Sequence, residues 1–312
     1  MYYGGSITKT VFFLTTGLAL LLIGLWLLQS GLLYLSAGRL TMALRSLSTN
    51  NIRSSLTGLA ASALTQSSTA VSVITVGLVH SRLINLSQAI AVILGANVGT
   101  TLTVQFLSLN PGIAILPFCA AAVPVAVRRS PARPLGQILI GAGMIFSGLD
   151  LLSRAFEPLR QAPWFAAGLA AAGDNHLLAV SIATVLTAVL HSSSAATGIV
   201  MSLYVQGAVS LETAVALVLG NNIGTCFTAL VASLTSSAAG RRVALAHLFL
   251  NVIGTVIFLP FIHPFSLLIG ITSDAPARHV ANAHVVYNLI SSLVALPFCD
   301  GFARLLERLP LK

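Results

Sequence analysis

Gly95-Ala96-Asn97-Val98-Gly99-Thr100-Thr101 reappears 125 residues later as Gly220-Asn221-Asn222-Ile223-Gly224-Thr225-Cys226. Upstream of each copy, at the same shift, Gln66-Ser67-Ser68-Thr69 answers to His191-Ser192-Ser193-Ser194. No gap is needed from residue 66 to residue 103. Ser67/Ser192, Ser68/Ser193, Leu86/Leu211, Gly95/Gly220, Asn97/Asn222, Gly99/Gly224, Thr100/Thr225 and Thr103/Thr228 are identical pairs. A chance match between apolar segments would pair Leu with Val, but it would not keep Ser, Asn, Gly and Thr in register. The chain therefore contains an internal duplication, and a repeat identifies an architecture before any single motif does.

The repeat sits in a very apolar chain. Of 312 residues, 56% are hydrophobic and only 7% are Asp, Glu, Lys or Arg, against roughly a quarter charged in soluble domains. Apolar runs cover about 10–37, 84–108, 112–127, 135–152, 209–234, 243–262 and 279–299. A helix needs about 20 residues to cross a hydrocarbon core of about 30 Å. Two more runs, 52–81 and 177–206, are apolar but carry the serine clusters at their midpoints. These features predict an all-α, polytopic transmembrane bundle in the cell membrane, with the lipid bilayer as its solvent. They exclude a soluble enzyme and a barrel, whose strands would alternate with period two.

The net charge of +9 does not signal nucleic acid, because the 16 basic residues form no stripe interleaved with aromatics. They punctuate the apolar runs instead. Cys119, Cys226 and Cys299 stand singly, so neither a disulfide framework nor a metal site is indicated. If the two interrupted runs enter the bilayer and return, while the other seven cross it, twelve basic residues share one face: Arg39, Arg45, Arg53, Arg82, Arg128, Arg129, Arg133, Arg241, Arg242, Arg304, Arg308 and Lys312. Lys9, Arg154, Arg160 and Arg278 share the other. The positive-inside rule then puts the C-terminus in the cytoplasm and the N-terminus outside.

This layout divides the chain into an N-terminal helix and basic segment (1–50), a first repeat (51–134), a connecting helix with an external loop (135–176) and a second repeat (177–312). Each repeat is expected to hold a re-entrant hairpin, 52–81 or 177–206, and a discontinuous helix, 84–108 or 209–234. The two copies would run in opposite directions, the inverted-topology repeat of secondary transporters.

The hairpin tips would reach the bilayer centre, since about ten helical residues span roughly 15 Å. Irregular backbone survives there only when enclosed by protein or lining a wet cavity. Hydroxyls at such a tip, with the free N–H groups of the helix that restarts after it, suit an oxyanion. Gln66, Ser67, Ser68, Thr69, His191, Ser192, Ser193 and Ser194 are therefore the candidate substrate-binding residues. Two glycines weaken each long helix, and unwinding there would free carbonyls beside Asn97, Thr100, Thr101, Asn222 and Thr225. Neutral hard oxygens suit a small hard cation. No Asp or Glu precedes Asp150, so a co-bound cation is expected to balance the anion. As isolated features, GxxxG spacing reads as helix packing and serine as back-bonding; the joint recurrence at one spacing favours a site.

His247 with Asn251, and His284 with Asn288, form a second internal repeat. Both lie in Ala-x-Ala-His-x-x-x-Asn, and Leu259-Pro260-Phe261 and Leu296-Pro297-Phe298 follow at the same shift of 37. Helical spacing puts each His and Asn on one face, where a structural role is favoured over lining an aqueous path.

The paired Gln-Ser-Ser-like clusters, each followed by Gly-x-Asn-x-Gly-Thr, resemble the two signature repeats of the sodium/phosphate cotransporter family. The resemblance covers about 55–300. It implies sodium-coupled symport of inorganic phosphate, with Na+ as the coupling ion, no organic cofactor, and the serine-bearing tips contacting phosphate and sodium. Two residues depart from the pattern. His191 stands where the family usually has Gln, introducing a group that titrates near pH 6.5, and Thr69 replaces a usual serine. Many bacterial members carry a soluble C-terminal helical domain, which this chain is expected to lack. The competing expectations are a phosphate or anion channel, a transporter of another small oxyanion, and, more remotely, an intramembrane serine hydrolase using His191. A homo-oligomer is left open.

Overall fold

The computed structural model describes residues 3–109, 115–127 and 131–310. The described residues form fourteen α-helices and no strand: α1 (Tyr3–Leu47), α2 (Asn51–Thr65), α3 (Ser68–His80), α4 (Leu86–Leu107), α5 (Leu116–Val127), α6 (Arg133–Leu159), α7 (Pro163–Asp174), α8 (His176–Leu190), α9 (Ser193–Val205), α10 (Leu211–Ser233), α11 (Ala238–Phe258), α12 (Ile262–Gly270), α13 (Pro276–Ala295) and α14 (Cys299–Glu307). Two 3-10 turns, Leu259–Phe261 and Leu296–Phe298, join α11 to α12 and α13 to α14. Six stretches are long and apolar enough to cross a membrane: Thr8–Ser36, Leu86–Leu107, Arg133–Leu159, Leu211–Ser233, Ala238–Gly270 and Pro276–Glu307. Such a chain is a multi-pass membrane protein, because backbone in lipid must satisfy its own hydrogen bonds.

The 125-residue duplication is a structural one. Helices α2 and α8 each have 15 residues, and α3 and α9 each have 13. The N-caps of α2 and α8 are Asn50 and Asn175, again 125 apart, and both side chains accept backbone N–H groups. In the first copy, α4 starts beside the start of α2, where Ser87 Oγ lies 3.0 Å from Asn51 Oδ1. It is still beside α2 at its end, where Thr103 Oγ1 donates to the Gln66 carbonyl at 3.5 Å. Helices α2 and α4 are therefore parallel neighbours in direct contact, and α3, antiparallel to both, carries the chain back from the end of one to the start of the other. The second copy repeats this, from Thr184 Oγ1 donating to Gly220 O at 3.1 Å to His191 against Thr228 at 3.2 Å.

The glycines of the repeated motif explain that closeness. A methyl group at Gly95 would fall on the Ser55 carbonyl, and one at Gly220 on the Val180 carbonyl. Small residues let helices approach to backbone contact, and packing rather than hydrophobic expulsion holds helices together in lipid. Here the structure corrects the sequence expectation. Helices α4 and α10 are continuous through Gly95–Gly99 and Gly220–Gly224, so neither is a discontinuous helix and no carbonyl is freed by unwinding. A glycine costs about 1 kcal/mol of helix propensity, too little to break a helix braced along its length by a neighbour.

Two other expectations change. The run 112–127 does not form a full crossing: α5 has 12 residues, about 18 Å of helix, and residues 112–114 lie outside the described residues, as do Arg128 and Arg129. Helix α5 still runs back along α6, with Cys119 against Gly143 and Ala126 against Gly136. The expected external loop before residue 176 is largely helix α7, which meets α8 at 118°.

Helix α1 packs antiparallel on α6 through glycines, Gly17 facing Gly148 and Gly24 facing Gly141 at backbone contact distance. One buried cluster gathers Leu21, Leu107, Ile145, Val200, Leu219 and Ile269; a second gathers Leu44, Val79, Ile90, Val243 and Leu306. Both copies contribute to each cluster or to the helices packed on it. The halves interlock: α3 packs on α10 and α9 on α4, with Gly198 facing the Leu107 side chain.

Candidate functional site

Two residues end and restart the helix at each tip. Gln66 and His191 close α2 and α8 in the left-handed region, at φ 54°, ψ 27° and φ 52°, ψ 24°. Ser67 and Ser192 follow in extended conformation, φ −146°, ψ 96° and φ −149°, ψ 104°. Each serine is the N-cap of the returning helix, its Oγ accepting the N–H of Ala70 or Ala195 at 3.2 Å. Only one of the orphan N–H groups of a helix start is satisfied in this way. The N–H groups of Ser68 and Thr69, and of Ser193 and Ser194, remain at the tips together with the positive end of the helix dipole.

The hydroxyls of Ser68, Thr69, Ser193 and Ser194 make no hydrogen bond among the described residues. Ser68, Ser193 and Ser194 are buried. Hydroxyls held in a buried tip without a protein partner are groups with capacity to spare for a solute. Gln66 presents a carbonyl that accepts Gln29 Nε2 at 2.9 Å, while its own amide turns back to Ala63 O at 2.6 Å. His191 is exposed and pairs through Nδ1 with Thr228 Oγ1 at 3.2 Å. No carboxylate pairs with His191 among the described residues, so the geometry offers no base and orienting acid for nucleophilic serine chemistry.

The five residues expected to hold a cation are placed differently from one another. Asn97 is buried and engaged by α11: its Oδ1 lies 3.2 Å from His247 Nε2, and its Nδ2 donates to Asn251 Oδ1 at 3.5 Å. Asn222 donates to Val218 O at 2.9 Å. Thr101 and Thr225 donate back to Val98 O and Asn221 O, at 2.7 and 2.8 Å. Thr100 is buried, and its hydroxyl has no partner among the described residues. The oxygens of Thr101, Thr225 and Asn222 keep free lone pairs, so a cation would be held by side-chain oxygens of continuous helices rather than by unwound backbone.

Residues that the sequence reading passed over brace this arrangement. Asn221 is fully buried and ties three helices, accepting from Thr187 Oγ1 at 2.8 Å and donating to Thr197 Oγ1 at 3.1 Å. Gln29 was findable as the lone amide inside the 10–37 apolar run. In the His–Asn pairs, Asn251 and Asn288 each donate to the carbonyl four residues back in their own helix, at 2.9 and 2.8 Å, and both ring nitrogens of His284 are without a partner among the described residues. A cavity of about 440 Å³ opens beside Asn97 and Asn251, lined mostly by apolar side chains such as Ile90, Leu250 and Phe298; none of the tip residues lines it.

Comparison with known proteins follows the same two copies. The chain is 36% identical over 198 residues to the "Uncharacterized protein YqeW" of Bacillus subtilis, covering 63% of this chain and 64% of that protein. It is 32% identical over 214 residues to the "Putative inorganic phosphate export protein YjbB" of Salmonella typhimurium, covering 67% of this chain and 39% of that one. It is 44% identical over 84 residues to the human "Sodium-dependent phosphate transport protein 2C", 26% of this chain and 14% of the human one. The chain thus spans less than two thirds of the length of these relatives. No solved structure matches. The sequence profile described as Na+/Pi-cotransporter matches residues 20–154 and 161–271, one segment for each copy of the duplication, and the chain belongs to that family.

Proposed function

We propose that this protein is a secondary active transporter that moves inorganic phosphate together with sodium across the cell membrane by alternating access. The observation that carries the reading is the matched pair of tips, whose backbone angles at residues 66–67 and 191–192 agree to within 8°, each presenting free hydroxyls and helix-start N–H groups. Family membership points the same way, and so does the human relative's name.

Several contacts support opposite directions for the two copies. His80, at the end of α3, accepts from the Ser237 N–H at 3.0 Å, and Asn97 meets His247, so α11 runs parallel to α4. Cys226 meets His247 and Asn251, and a short turn joins α10 to α11, so α10 runs antiparallel to α11 and hence to α4. In this reading the tips enter from opposite faces as re-entrant hairpins. Phosphate accepts the N–H and hydroxyl donors of Ser68, Thr69, Ser193 and Ser194. Sodium, held by neutral oxygens of Asn97, Thr100, Thr101, Asn222 and Thr225, offsets its charge; an unpaired ion in a low-dielectric interior would cost several kcal/mol or more. The basic ends of α1, α2, α11 and α14 face the cytoplasm.

Labelled phosphate flux through vesicles containing the purified protein tests the proposal. Flux driven by an imposed sodium gradient, and absent with potassium or choline, is the expected result. Equal flux in all three salts replaces symport with a channel. Reversing the gradient reads the direction of net transport, which the export named for YjbB makes informative.

A further inference from the structure

The shift of 125 that relates the two copies, and the shift of 37 that relates α11–α12 to α13–α14, together pair three positions at one end of the bundle with three at the other. Asn51, the first residue of α2, corresponds to His176, the first of α8. Ser87, in the first turn of α4, corresponds to Glu212, in the first turn of α10. Asp300, the second residue of α14, corresponds to His263, the second of α12.

Each trio closes on itself. Ser87 Oγ donates to Asp300 Oδ1 at 2.5 Å, and Asn51 Nδ2 donates to the same oxygen at 3.2 Å. At the other end His263 Nδ1 lies 2.7 Å from Glu212 Oε1, and His176 Nε2 lies 3.8 Å from Glu212 Oε2. Each trio fastens a short helix, α14 or α12, to the start of its repeat. Each carboxylate also occupies the first turn of a helix, α14 for Asp300 and α10 for Glu212, where the positive dipole end favours it.

The chemistry of the two trios differs in one respect. An amide, a hydroxyl and an Asp carboxylate do not change charge between about pH 5 and 8, whereas imidazole does. We propose that His176, Glu212 and His263 form a proton-operated latch on α12. A protonated imidazole at either position grips the carboxylate as an ion pair, and without that proton at most a neutral hydrogen bond is left. The Asn51–Ser87–Asp300 trio holds α14 independently of pH. The three groups do not converge as ligands of one metal ion.

The other charged or titratable groups at this end are Lys9 near the start of α1, Asp150, Arg154, Glu157 and Arg160 toward the end of α6, with Arg154 paired to Asp150, Asp174 at the end of α7, and Asp274, Arg278 and His279 around the α12–α13 turn. None of them makes an ion pair with the trio among the described residues. His279 is already engaged by Tyr204 Oη at 3.0 Å and the Ser273 carbonyl at 2.6 Å. A latch at one end only biases the balance between the two access states, and acid would favour closure at the Glu212 end. That consequence rests on the alternating-access reading; the latch itself does not.

Amide hydrogen exchange of the purified full chain, at about pH 6 and about pH 8 with intrinsic rates corrected, tests the latch without any transport measurement. Protection of α12 relative to α14 should be about three-fold higher at the acid pH, the scale of a partly exposed ion pair. Glu212→Gln should abolish the difference. The triple change His176→Asn, Glu212→Ser, His263→Asp transplants the other end's trio and should leave α12 protected but insensitive to pH. The reverse transplant, Asn51→His, Ser87→Glu, Asp300→His, should confer the pH response on α14. An equal pH response in α12 and α14 of the unaltered protein, or persistence of the α12 response in Glu212→Gln or in the first triple variant, overturns the proposal.

Discussion

Gln66 and His191 adopt the same left-handed backbone conformation, at φ 54° and φ 52°, although neither is glycine. Left-handed backbone costs an L-residue about 1–2 kcal/mol, and such strain persists only where surrounding structure enforces it. The enforcing contacts are the Thr103 and Gln29 donors on the Gln66 carbonyl and Thr228 on the His191 ring. In this conformation the next serine takes the N-cap position, with two N–H groups left open at each tip.

Loss of an open tip hydroxyl should weaken anion binding without unfolding the protein. Ser68→Ala and Ser193→Ala are each expected to raise the phosphate concentration for half-maximal flux about ten-fold, the scale of one hydrogen bond to a charged group. Flux kinetics in vesicles check this, with thermal unfolding as the folding control. Unchanged kinetics in both variants would return these serines to a packing role.

Ser67→Ala and Ser192→Ala should behave alike, because each removes an N-cap. The expected cost is about 1 kcal/mol each, read as a lowered thermal midpoint in detergent, and larger effects on flux than on stability are expected because the tip backbone loosens. A large difference between the two would mean that the copies are not equivalent at this point.

Gly95→Ala and Gly220→Ala should be among the most damaging single-methyl changes in the chain. Each new methyl meets a neighbouring backbone carbonyl, and backbone cannot step aside as a flexible side chain does. Destabilisation of about 3 kcal/mol, at the upper end for overpacking, should appear as loss of folded protein on size-exclusion chromatography. Gly77→Ala, where nothing lies within 4 Å, is the control and should be neutral or slightly stabilising.

His191→Gln restores the residue usual for the family at this position while keeping a polar side chain within reach of Thr228. Transport should persist, because the amide keeps a donor and an acceptor where the imidazole stood. Complete loss of transport in a folded His191→Gln protein would give His191 an essential role that the tip geometry does not supply.

Much of the fold was legible. The serine-bearing runs were bounded at 52–81 and 177–206, and the helix pairs occupy 51–80 and 176–205. The offset-37 repeat reappears as two helix, 3-10 turn, helix units. The reading failed where a local tendency met a neighbour. Glycine was taken as a point of unwinding in α4 and α10, but Ser55 and Val180 press backbone against backbone there. The run 112–127 was counted as a crossing by composition, although the helix that forms is only 12 residues long. The trio at Glu212 escaped notice because His176, Glu212 and His263 are isolated in sequence and meet only when α8, α10 and α12 assemble.

Composition and self-comparison by themselves determined a helical membrane protein built from two copies of one unit, because hydrocarbon admits few spanning structures and a duplicated register leaves its mark at every residue. Which polar groups remain open was decided by tertiary structure alone. Asn97 and Thr100 stand three residues apart on one helix, yet the first is taken up by His247 and the second is left without a partner. Hydrogen bonds are short and directional, so the availability of a group depends on what a distant part of the chain brings within about 3 Å of it.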